Sequence, residues 1–248
     1  MEIICKYSTE ADDKFISDFI SVQNAVFGGY TLKHFNHKFR ENIYGPSVLA
    51  VVYNDSGNPI AARALWRNDI DGRECYQPGD TCVLKEARGK GVFSQMTIQA
   101  IKLLPPESVI YNFPNQNSYP GYKKLGWDDR ASYHLVLLTD NRAYSKEHPT
   151  QIDERYFDWW VKPAPGIHHI HKGAKYYLVK AGPRRFCYTV IGEVSEDLAK
   201  QMPKLRVPAL IFYKSCRVTF YNKRFATSYV VSKDSDISYV PTWKIDAL

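Results

Sequence analysis

VLKEARGKGVFSQM, running from Val83 to Met96, and NQNSYPGYKKLGW, from Asn115 to Trp127, decide how the rest of the chain is read. In the first stretch Gly89 and Gly91 precede a run in which Val92, Met96, Ala100 and Leu103 recur at helical spacing, halted by Pro105 and Pro106. A glycine loop that opens a helix aims backbone N–H groups at one point, at the positive end of the helix dipole, where a pyrophosphate can be held. The glycines let the backbone approach a bulky anion without a Cβ in the way, and Arg88 and Lys90 add cationic charge. In the second stretch an amide, Asn115, and a hydroxyl, Ser118, precede a short helix around Tyr119 to Leu125 that carries Tyr122. Pro120 falls in its first turn and Gly126 just past its end, the usual asymmetry of a helix.

Working outward, Ile3 to Tyr7 reads as a strand, and Thr9 as the N-cap of a helix carrying Phe15, Ile16, Phe19, Ile20, Val26 and Phe27 on a helical period. Thr31 begins a second helix, with Leu32, Phe35, Phe39 and Ile43 as its stripe. Val48 to Tyr53 and Ile60 to Trp66 flank Asn54-Asp55-Ser56-Gly57-Asn58 as a hairpin. A strand is predicted from about Asp80 to Lys85, another over Val109 to Phe113 and a further one over Tyr133 to Leu138. This order predicts an α/β domain with a mixed sheet.

Beyond residue 150 the pattern starts again. A helix near Asp153 to Val161 precedes strands at Lys175 to Lys180 and Phe186 to Val194; Ser195 caps a helix through Met202. Strands follow at Val207 to Tyr213, Arg217 to Tyr221 and Phe225 to Ser232. The expected organisation is therefore a domain over 1–145 and a smaller α/β unit over 146–248, with no glycine loop of its own.

Charge separates the halves. Residues 1–150 carry 17 basic and 17 acidic side chains, so the net +7 lies in the remainder, which suits an anionic small molecule or leaves a solvated basic face. The basic residues there are scattered pairs such as Arg184–Arg185, which argues against a nucleic-acid-binding run. No stretch of eighteen apolar residues predicts a membrane span, and the N-terminal residues lack the features of a signal peptide. The five cysteines are dispersed, as suits reduced thiols in a cytoplasm. His168, His169 and His171 lack a Cys, Asp or Glu at ligand spacing and read as ordinary polar residues, not a metal site. Trp159–Trp160 reads as an interface between the halves or as a stacking surface for an acceptor.

Taken together the two motifs resemble the acetyl-CoA-binding core of the GNAT N-acetyltransferase superfamily, over residues 1 to about 140. Its loop reads Gln or Arg, two residues, Gly, any residue, then Gly or Ala; Arg88, Gly91 and Val92 fit, and Phe93 departs from the small residue usual there. Its second pattern, Asn, two residues, Ala, three residues, Tyr, then basic-Leu-Gly-Phe, is met by Asn115, Ser118, Tyr122, Lys124, Leu125, Gly126 and Trp127, with Ser for Ala and Trp for Phe. The resemblance implies a GNAT-type mixed β-sheet flanked by helices; the smaller α/β unit that follows reads either as a degenerate GNAT-like repeat or as a unit of its own.

It also implies a division of labour. Arg88, Gly89, Lys90, Gly91, Val92 and Phe93 would hold the pyrophosphate, and Asn115 and Ser118 would lie along the pantetheine arm. Backbone N–H groups at Val83 and its neighbours would polarise the thioester carbonyl, and Tyr122 would act as general acid toward the leaving thiolate. Asp80 is the first candidate for the base, as the residue opening the strand before the loop, although it also reads as a turn residue after Pro78-Gly79; Glu86 is the second, directed to solvent.

The implied activity is direct acetyl transfer from acetyl-CoA to a primary amine in a ternary complex. The second half would complete the acceptor site, and its charge favours an anionic, nucleotide-linked amino sugar, as in GNAT members associated with bacterial surface polysaccharide synthesis. A protein or peptide amine, a non-catalytic acyl-CoA-binding module and a tandem GNAT-like aminoacyl transferase are the alternatives.

Overall fold

The computed structural model describes residues 1–137, 152–181, 187–206, 210–215 and 228–233. In chain order the elements are β1 (Glu2–Tyr7), α1 (Asp13–Val26), α2 (Leu32–Phe35), β2 (Val48–Tyr53), β3 (Pro59–Arg67), β4 (Cys75–Val83), α3 (Val92–Ile101), β5 (Val109–Asn112) and α4 (Tyr119–Lys124). There follow β6 (Asp128–Leu137), α5 (Glu154–Tyr156), β7 (Ile167–Lys172), β8 (Lys175–Ala181), β9 (Cys187–Val194), α6 (Glu196–Lys200), β10 (Leu210–Ser215) and β11 (Ser228–Lys233). Two compact units divide them: one takes Met1–Asp128 with a stretch that begins at Val231, the other the described residues from Asp129 to Val230.

In the first unit β1 to β4 pair as an antiparallel meander, β4 meets β5 in parallel, and β11 closes the far side of β5 in antiparallel register. The β2–β3 hairpin forms where expected, with Asn54 Oδ1 accepting the N–H groups of Ser56 and Asn58 at 3.0 and 2.9 Å. Apart from Arg63, the buried residues of the hairpin strands are apolar on both faces because helices cover both. On one side α1 buries Phe15, Ile16, Phe19 and Val22, and Phe19 meets Phe35 and Phe39 edge-on at 5.8 and 5.9 Å. On the other, α3 buries Val92, Met96 and Ala100.

Three local expectations need correction. The cap of α1 is Asp12, whose Oδ1 accepts the Phe15 N–H at 2.8 Å; Thr9 belongs to a turn closed by the Glu10 N–H on the Tyr7 carbonyl. Thr31 does cap α2, but the chain then enters a π-helical turn, Asn36–Arg40, whose wider spacing breaks the single stripe. Phe35 and Phe39 are buried there while Leu32 is 52% exposed.

The third correction concerns β4, which begins at Cys75, so Asp80 lies inside the strand and does not open it. Pro78-Gly79 looked like a turn because proline cannot donate to a ladder. Alternation of the pairing explains its tolerance: Asn68 N–H donates to Cys75 O, so Pro78 stands opposite Leu65 at a pair that exchanges no hydrogen bonds. Its ring nitrogen faces away from β3.

The second unit holds β6, β10, β9, β8 and β7 side by side, with β10 and β9 parallel and the other pairs antiparallel. Asp153 caps α5 through the Tyr156 N–H at 2.8 Å, and Ser195 caps α6 through Leu198 at 3.3 Å. The histidines lie on β7, where a ring nitrogen of buried His169 meets the Met202 carbonyl at 2.7 Å and His171 stacks on Tyr176 at 4.5 Å. Trp159 and Trp160 have ring centroids 5.2 Å apart, with Tyr156 6.1 Å from Trp159. The strand expected at Arg217 to Tyr221 lies outside the described residues. Among the described residues no helix is long and apolar enough to cross a membrane, and no group of three or more His, Cys, Asp and Glu side chains could hold a metal ion.

Candidate active site

β4 and β5 share only two residue pairs, Cys75 with Val109 and Tyr76 with Ile110. Past Tyr76 no described ladder joins them, while β4 runs on to Val83 against β3 and β5 to Asn112 against β11. The two parallel strands therefore part, and past Tyr76 the side of β4 turned away from β3 has no strand beside it among the described residues. Because Leu84 N–H donates to Ile60 O, alternation turns the N–H and C=O of Val83 to that open side. The Val83 carbonyl there accepts Nε of Arg88 at 3.0 Å.

The glycine loop follows directly. Gly89 and Gly91 hold φ values of +76° and +73°, and Gly91 is the residue immediately before α3. No side chain caps the helix, so its first-turn N–H groups are open to an anion. Arg88 and Lys90 are exposed beside it, as is Glu86.

Across the opening, Asn115 spends its side-chain oxygen on the N–H groups of Asn117 and Ser118 at 3.0 and 2.9 Å. This Asx turn launches α4 and leaves the Asn115 amide as a donor. Tyr122 on α4 is 2% exposed, between Trp127 at 4.5 Å and Phe93 at 5.3 Å, ring to ring. Phe93 thus turns into the protein, and room for it comes from Gly121, where a Cβ would fall 2.7 Å from the ring.

The structure adds a residue that the motif reading did not single out. Arg63 on β3 is fully buried, donates from Nη2 to the Tyr122 hydroxyl and from Nη1 to Thr97 Oγ1, and its guanidinium lies 4.7 Å from the Phe93 ring centre. Its signal in the sequence was a single charge within the apolar run Ile60 to Trp66. Burial pushes the Tyr122 phenol above its ordinary range while Arg63 pulls it back, and burial lowers the guanidinium from its usual value.

Asp80 sits elsewhere. At a bulge, Asp80 and Thr81 together oppose Arg63, and Asp80 takes φ +44°. Its carboxylate meets Lys38 Nζ at 3.2 Å and the Tyr30 hydroxyl at 3.4 Å, while Gln23 donates to its carbonyl. Lys38 lies 4.8 Å from the Trp66 ring centre. Trp66 and Arg63 are three residues apart on one strand and face opposite sides of the sheet, so Asp80 and Tyr122 do as well. Burial pushes the Cys82 thiol on β4 up to about 12 and that of Cys5 to about 11, which keeps both protonated at neutral pH.

No family model matches the chain, and no curated protein matches it by sequence. Among solved structures it is similar to a GCN5-related N-acetyltransferase from Kribbella flavida, at 11% identity and a TM-score of 0.52, over 93% of this chain and 71% of that one. A Pyrococcus horikoshii protein described as an acetyltransferase gives 14% identity and 0.51, over 98% and 94%. A conserved protein of unknown function from Enterococcus faecalis V583 gives 10% and 0.52, over 94% and 72%. At these identities the likeness speaks to architecture, and the chain has the fold of the GCN5-related N-acetyltransferases.

Proposed function

We propose that the chain transfers an acetyl group from acetyl-CoA to a primary amine by direct attack in a ternary complex. The observation that carries this reading is the parting of β4 from β5 between an uncapped, glycine-led helix terminus and the Tyr122 hydroxyl. The residues present fit the cosubstrate: no atom within 4 Å would crowd a Cβ at Gly89, and the α3 terminus, Arg88 and Lys90 all favour a pyrophosphate.

Acetyl-CoA supplies an activated acyl group on a sulfur leaving group. Val83 N–H, turned to the open side, stabilises the negative charge that develops on the acyl oxygen. The Asn115 amide donates along the pantetheine arm, beside Ser118. As the C–N bond forms and the C–S bond breaks, the electron pair passes to sulfur and Tyr122 delivers the proton. Asp80, on the opposite face, accepts the proton that the amine nitrogen gives up. The raised thiols of half-buried Cys5 and buried Cys82 make these two side chains poor nucleophiles. For the acceptor we propose a small anionic amine of the nucleotide-linked amino-sugar class, on the strength of the positive excess in residues 151–248.

Thermal unfolding with and without acetyl-CoA tests the reading, followed by a thiol-release screen of nucleotide-linked amino sugars and short peptides with a free amino end. Acetyl-CoA should raise the melting temperature of the wild type. Arg88→Ala should weaken binding by about 1.5–3 kcal/mol, the scale of a lost hydrogen bond to a charged group. An undiminished shift in Arg88→Ala would remove the loop from the pyrophosphate site. A shift without turnover on any amine would make the protein an acyl-CoA-binding module.

A further inference from the structure

Arg63 is an anomaly by its energetics. A guanidinium removed from water costs several kcal/mol unless an anion answers it, yet this one is wholly buried and, among the described residues, no carboxylate bonds to it. Among the described residues its partners are two neutral hydroxyls, and its Nε has no hydrogen-bond acceptor. Packing alone would be served better by methionine.

The hydrogen-bond directions carry the argument further. Arginine holds five donors and no acceptor, so the Tyr122 oxygen is the acceptor in their bond and the phenolic proton points away from Arg63. Among the described residues no group accepts that proton. The neighbouring polar atoms left over are donors too: Arg63 Nε, and Nε1 of Trp127, whose ring packs on Tyr122. The site is built around an oxygen that becomes negative when its proton leaves.

We propose that Arg63 is a positioning residue for acetyl transfer: it pins the Tyr122 oxygen, turns its proton toward the leaving sulfur, and stabilises the phenolate that remains. This rests on the reading of Tyr122 as general acid. In the step, the Tyr122 O–H bond breaks, the proton goes to sulfur as the C–S bond opens, and the electron pair stays on the phenolate oxygen against Arg63. Asp80 passes the proton it took from the nitrogen to solvent, and the phenolate regains a proton from solvent. Thr97 on α3 holds the other end of the fork, accepting from Nη1 while donating to the Phe93 carbonyl. Arg63, from β3, is the one charged group that bears on Tyr122 among the described residues; α3 presents Phe93 and Thr97, and Trp127 follows α4.

The test compares wild type, Arg63→Met, Tyr122→Phe and the double variant for melting temperature and for thiol release against pH, using the amine found in the screen. Arg63→Met should melt at or above the wild-type temperature, since an uncompensated buried charge is gone. It should lose about tenfold or more in kcat, a share of the 10²–10⁴ typical of a general acid, with little change in KM for acetyl-CoA. Removing the cation makes the phenol a weaker acid, so the alkaline limb of kcat should move to higher pH. In the Tyr122→Phe background the same substitution should change kcat by less than about twofold, because the two residues act as one unit.

Equal losses in both backgrounds, or an unmoved alkaline limb, overturn the inference and leave Arg63 a structural residue. Should Arg63→Met fail to fold, Arg63→Lys keeps the cation without the fork; it should retain the alkaline limb and lose only part of kcat, and a limb that moves overturns the inference. Full activity in Tyr122→Phe, or no turnover by the wild type on any amine, sinks the acid reading and this inference with it. Full activity in Arg63→Met beside an impaired Tyr122→Phe sinks the inference alone.

Discussion

Asp80 holds a left-handed backbone in the middle of a strand, a conformation that aspartate and asparagine tolerate better than most residues. Its ion pair with Lys38 is mostly shielded, with 9% of the lysine side chain and 16% of the aspartate exposed. Asp80 is thus the counter-ion of a nearly buried ammonium as well as the proposed proton acceptor. Asp80→Asn separates the two roles, since it keeps the backbone preference and removes the charge. It should cost about 1–3 kcal/mol, the usual penalty when a buried charged group loses its partner. Adding Lys38→Met should recover most of that stability and none of the lost turnover. Recovery of both, by thermal unfolding and thiol release, would leave Asp80 a structural ion-pair partner and send the search for the base elsewhere.

At the level of elements, the contact of α3 with α4 turns on one missing side chain. A helical Gly→Ala change ordinarily stabilises by up to about 1 kcal/mol, but at Gly121 the added Cβ would meet the Phe93 ring at 2.7 Å. That ring cannot yield freely, because Arg63 and Tyr122 pack on it. Gly121→Ala should therefore destabilise by about 1–3 kcal/mol, as overpacked sites do, and lower kcat by displacing Tyr122. Phe93→Leu in the same chain should restore stability; strictly additive losses would show that the two positions do not share the strain. This pairing explains why Phe93 departs from the motif, and it was beyond the sequence because nothing local links positions 93 and 121. What periodicity and turn chemistry could reach was reached: the β2–β3 hairpin, α3 with its glycine loop, and α4 between Pro120 and Gly126. The first half of β4 was missed, since Pro78-Gly79 is turn chemistry unless one knows that the strand's other edge is bare. Arg63 and Lys38 were missed because a buried charge is recognised by its three-dimensional partners, not by its neighbours in sequence.

For the molecule as a whole, chain order and structural order part company at β11. Val231, Ser232 and Lys233 pair with Asn112, Tyr111 and Ile110, so the sheet that carries the site is finished by residues more than a hundred positions after α4. Every residue of β5 is buried, and its other neighbour, β4, contributes only two pairs. Without β11 the strand that forms one wall of the opening would present unpaired backbone on one side and little support on the other, an arrangement that costs stability and invites strand addition from other chains. A chain ending at residue 227 should therefore melt several degrees below the full chain, where each 1 kcal/mol is worth about 2–4 °C at this size. It should also show a smaller acetyl-CoA shift, because the separation of β4 and β5 depends on β5 being held from its far side. An unchanged melting temperature and an unchanged shift in the shortened chain would mean that β4 alone fixes β5, and that the opening owes nothing to the strand from the end of the sequence.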